Sequence, residues 1–90
     1  MADRAGADAL IVVEGNGSTL VARMRGPLMR ALAGRGSVYA VWVEALGPRG
    51  DVLVTITGSR GRIPLVFAPD ELQPPHVARV VRGALDKAAI

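Results

Sequence analysis

One histidine and no cysteine restrict the chemistry open to this 90-residue chain. A nucleophile–base pair needs Ser18, Ser37 or Ser59 to meet His76, and none of these serines lies in a Gly-x-Ser-x-Gly elbow. His76 follows Pro75 at an expected helix start, where an imidazole is usually solvated or caps the helix. Asp70-Glu71 is the only adjacent pair of carboxylates, in a proline-bounded stretch where such pairs commonly mark a turn. A transition-metal site needs several His or Cys ligands, which this chain lacks. The sequence therefore points to no catalytic residue, no metal and no cofactor, and hence away from an enzyme.

The glycine loops carry no phosphate fingerprint. Gly15-Asn16-Gly17 and Gly34-Arg35-Gly36 each supply the first two glycines of a dinucleotide motif, but Leu20 and Tyr39 occupy the third position. Both read as turn glycines. Arg49-Gly50-Asp51 spells an adhesion tripeptide, but it falls in an expected hairpin of a chain read as cytoplasmic.

The arginines remain. The net charge is +3, and ten of the eleven cations are arginine, with Lys87 the exception. Arg23, Arg25, Arg60 and Arg62 converge if strand order allows, giving a patch that binds phosphates. Alanine, glycine and arginine enrichment from a GC-rich genome explains the same charge without a nucleic-acid role. The rings are Tyr39, Trp42 and Phe67 alone, few for a base-stacking platform.

The elements that position these residues centre on residues 37–68. Three apolar runs, 37–46, 51–57 and 62–68, are divided by Gly47-Pro48-Arg49-Gly50 and Gly58-Ser59-Arg60-Gly61. Val, Ile, Thr, Tyr, Trp and Phe suit a pleated surface. Connections this short join antiparallel strands. Pro64 cannot donate to a ladder, so the third run is an edge strand. Val52, Val54 and Ile56 share one face with Tyr39, Val41, Val43, Ile63, Leu65 and Phe67. The other face, with Trp42, Leu53, Thr55 and Val66, is mixed rather than charged, so a second copy of the chain is expected to cover it.

Upstream, residues 9–14 form a buried strand, and Asn16-Gly17 is a strong hairpin signal. The alternation of Leu20, Ala22 and Met24 with Val21, Arg23 and Arg25 makes 18–25 the returning strand. A rival reading runs a helix from Ser18 or Thr19 to Ala33. Gly26-Pro27 argues against it, since Pro costs about 3 kcal/mol inside a helix. Pro27 to Ala33 is then a short helical turn. Val77, Val80, Val81, Ala84, Leu85 and Ala88 recur with helical spacing, making 76–89 an amphipathic helix. Gly83 within it suggests close packing on the sheet.

The expected fold is α+β. A small antiparallel sheet of about five strands (N-terminal hairpin plus meander) carries one short helical turn and a C-terminal helix on one face. Residues 1–8 form a flexible N-terminus, and 9–90 a single domain. No span or signal segment is expected, which implies a cytoplasmic protein. The functional expectation is a non-enzymatic binding or assembly module. It self-associates through Trp42, Tyr39, Val66 and Leu53, with a protein partner in view. The alternative is a small basic nucleic-acid-binding protein using the four arginines.

Overall fold

A computed structural model describes residues 11–35 and 38–88. The expected flexible segment 1–8, Ala9, Leu10 and Ser37 lie outside the described residues. The class is α+β. The elements are β1 (Ile11–Gly15), α1 (Ser18–Leu32), β2 (Tyr39–Leu46), β3 (Asp51–Gly58), β4 (Gly61–Phe67), a 3-10 turn (Pro69–Glu71) and α2 (Pro74–Ala88).

The meander forms as its pattern dictates. β2, β3 and β4 pair antiparallel, with Val43 opposite Val54 and Val54 opposite Leu65. Gly47 and Gly50 adopt positive φ (65° and 88°) in the first turn, a conformation that costs glycine little. β4, carrying Pro64, is an outer strand.

The N-terminal third differs from expectation. Among the described residues there is no N-terminal hairpin and no fifth strand. β1 pairs parallel with β2, Val13 beside Val41, and the sheet is mixed, four-stranded, in the order β1-β2-β3-β4. Parallel neighbours need a crossover, and α1 supplies it. Its helical period buries Val21, Met24, Leu28, Ala31 and Leu32 against the sheet. Pro27 sits within this helix and is itself buried. The lost hydrogen bond costs about 3 kcal/mol, whereas each large apolar side chain buried contributes about 1.5–3 kcal/mol. Gly26 eases the insertion, since much of the strain before proline comes from a Cβ that glycine lacks.

Gly15 fixes where β1 ends. A Cβ there would lie 1.8 Å from the Val43 carbonyl oxygen. Asn16 donates its backbone N–H to that same oxygen at 3.0 Å, the final ladder bond between β1 and β2. Gly17 then takes φ 87° and leads into α1.

Both helices lie on one face. α1 packs on β1, β2 and α2, and α2 packs on β4 as well. Val77, Ala78, Val81 and Leu85 of α2 join Val41, Val43, Val52, Val54, Ile56 and Phe67 in one core. Gly83, expected to pack closely, is exposed, with no atom within 4 Å of an added Cβ.

Candidate functional site

The opposite face of the sheet has no covering layer among the described residues. The register arranges it in rows across the strands. Val12, Ala40, Thr57 and Arg62 form one row; Glu14, Trp42, Thr55 and Pro64 form the next; Glu44, Leu53 and Val66 form the third. Val12 is 47% exposed, Trp42 42% and Val66 60%. A shallow depression of about 330 Å³ opens between Val12, Trp42, Thr55 and Arg62. The Trp42 indole N–H donates to the Glu44 carboxylate at 3.0 Å, which fixes the ring along its own strand.

Three of the four residues expected at an interface meet here. Trp42 and Val66 are exposed, and Leu53, directly opposite Val66, is half-buried. Tyr39 is a correction. It is 1% exposed and belongs to the helix-covered core, because position 39 has the opposite pleat parity to Trp42. Its side chain instead supports Arg35, whose guanidinium is held charged above its ordinary range, chiefly by Asp86. The residues that sequence reasoning left out of this face are Val12 and Glu14, contributed by β1 through its parallel pairing.

The expected four-arginine patch is not assembled. Arg23 and Arg25 lie on a helix, not on one strand face. Arg25 reaches back to the Val13 carbonyl oxygen, at 3.4 Å, on the free edge of β1. Arg60 and Arg62 stand at the β3–β4 hairpin, on the far side of the sheet.

No family model, curated protein or solved structure matches this chain.

His76 stands edge-on to Phe67, ring centroids 6.3 Å apart, and makes no hydrogen bond among the described residues. Glu71 accepts the backbone N–H of Ala68 at 2.7 Å, so this carboxylate closes the 3-10 turn. No group of three His, Cys, Asp or Glu able to hold a metal occurs among the described residues. Gly15-Asn16-Gly17 does precede a crossover helix, contrary to expectation, yet Leu20 still stands where the third glycine of a dinucleotide motif belongs. Among the described residues no helix is long and apolar enough to cross a membrane.

Proposed function

We propose that this protein is a non-enzymatic assembly module, cytoplasmic, that pairs with a second copy of itself through the open face of its sheet. One observation carries the reading: Val12, Trp42 and Val66 stand exposed together on a face whose other side is covered by both helices. Small domains with an apolar sheet face gain stability when that face is covered.

Charge placement supports a like copy over other occupants. Glu14 lies on β1 and Arg62 on β4, at opposite edges of the face. A two-fold axis parallel to the strands sets β1 of one copy over β4 of the other. Arg62 then lies one row from the partner copy's Glu14, and the pair forms twice. An axis across the strands would set Glu14 against Glu14, which like-charge repulsion opposes. The same face is unsuited to nucleic acid, because Glu14 and Glu44 flank its single exposed ring.

Size sets the strength. Four strands at about 4.8 Å spacing and roughly 3.3 Å per residue give a face on the order of 20 by 25 Å. This is the small end of stable interfaces, so association depends on concentration. Light scattering across a dilution series tests the reading. A mass of two chains that falls to one in Trp42→Asp, with unchanged circular dichroism, is the expected result. Wild-type protein that stays at one chain even when concentrated overturns it.

A further inference from the structure

We infer that the outer surface of the two helices binds the backbone of duplex nucleic acid, with Arg23 and Arg30 of α1 and Arg79 and Arg82 of α2 as the phosphate contacts. This site lies on the side of the sheet opposite the proposed self-association face and does not depend on it.

The positive charge of the chain is concentrated in its helical segments. Residues 18–35 and 74–88 contain seven cations and a single carboxylate, Asp86. That carboxylate is already engaged, accepting a hydrogen bond from Arg35 at 2.6 Å. The whole chain carries only +3, so the rest is net acidic. Composition bias accounts for the number of arginines. It does not account for their segregation onto one layer, where fields of the same sign add.

The flanks of the helices follow from three contacts. Arg25 touches Val13 of β1, so its side of α1 faces the sheet edge. Arg23 and Arg30, seven residues or about two turns apart, occupy the other flank, toward α2. On α2, His76 meets Phe67 on the β4 side, while Asp86 meets Arg35, which follows α1. Arg79, Arg82 and Asp86, at i, i+3 and i+7, therefore share the flank that faces α1. Since α1 and α2 pack side by side, the four arginines border the furrow between them. All four are exposed, and no described carboxylate pairs with them.

The chemistry selects the ligand. Guanidinium forks match phosphate oxygens and stay charged at any physiological pH. No large apolar side chain is exposed on this layer; Val12, Val38, Trp42, Leu46 and Val66 all belong to the sheet strands or to the residue preceding β2. Insertion into a lipid interface requires such side chains. Stacking of unpaired bases requires rings, and this layer exposes only the half-buried His76, already set against Phe67. What remains is backbone contact without sequence readout, which a duplex satisfies.

The test is fluorescence anisotropy with a short mixed-sequence DNA duplex, the single strand of the same sequence, and phosphatidylserine vesicles. Four phosphate contacts give a slope of log affinity against log salt near −3.6, so duplex affinity should fall about 150-fold between roughly 50 and 200 mM salt. Arg23→Ala and Arg79→Ala should each lower the slope by about 1. Arg60→Ala, on the β3–β4 hairpin, should leave it unchanged. The measurement is repeated on Trp42→Asp, so loss of self-association and loss of binding are read separately. Absence of duplex binding at low salt overturns the inference. So does tighter binding of the single strand, binding to vesicles alone, or an equal effect of Arg60→Ala.

Discussion

Val43 and Trp42 are neighbours in one strand, yet they inhabit different molecules in physical terms. Val43 is fully buried beneath two helices, and Trp42 is 42% exposed on the other face. The apolar side chains on the two faces are similar in kind, with valine, leucine and tryptophan outside and valine, isoleucine and tyrosine inside, and only the outer face also carries charge, at Glu14, Glu44 and Arg62. What separates them is that one face has helices over it. On the covered face most apolar groups are excluded from water by neighbours in the helices. On the open face the same hydrophobic driving force is unspent, and it is available for association.

The same substitution on adjacent residues should break this comparison most sharply. Val43→Asp places a carboxylate in the core with no partner, a change in the class that exceeds about 4 kcal/mol. It should abolish the cooperative thermal transition. Trp42→Asp should leave the dilute monomer's melting temperature within a few degrees and act only on mass. If the tryptophan variant also unfolds, the two faces are energetically one, and the open face is part of the core.

Gly15→Ala should come next in size. Its Cβ would meet backbone, not a movable side chain end, so β1 must shift or detach. A loss of about 3 kcal/mol or more in chemical denaturation is expected, with β2, β3 and β4 still paired. A reversal of charge then sharpens the geometry of association. Arg62→Glu should weaken the dimer several-fold, and Arg62→Glu with Glu14→Arg should restore it. Failure of the double variant to recover points to a different two-fold axis. The smallest effect is a gain. Gly83 is exposed inside α2, and Gly83→Ala should stabilise by about 1 kcal/mol, read as a higher denaturation midpoint at constant slope.

The meander was legible because two signals agreed. A period of two ran through Val52, Val54 and Ile56, and glycine and proline marked both turns. α1 was not legible because its signals conflicted. Leu20, Ala22 and Met24 fit an alternating strand, while Val21, Met24, Leu28 and Leu32 fit a helix. No side chain caps α1, and its first turn has no acidic residue. Gly26-Pro27 then resembled a boundary. Tertiary packing overrode the local cost of proline, which no local pattern reports. The site inherited this error. With 18–25 read as a strand, Arg23 fell beside Arg25, whereas the helical period places it with Arg30. Leu53, Trp42 and Val66 fall on the open face as their pattern implies, because they lie wholly within the meander. Val12 and Glu14 were missed because a parallel partner leaves no turn to announce it.

The Val13 carbonyl that Arg25 reaches belongs to a strand that, among the described residues, is held on one side only. Among the described residues β1 is five residues long, pairs with β2 alone, and needs the whole of α1 to return the chain to its partner. The meander closes through two tight turns, so its ladders form over short loops, whereas β1 must wait for a long one. Native-state hydrogen exchange should show this order. Amides of β3, bonded on both sides, should open only with global unfolding, while those of β1 exchange through a cheaper local event. Each such event removes Val12 and Glu14 from the open face and leaves Trp42 and Val66 in place.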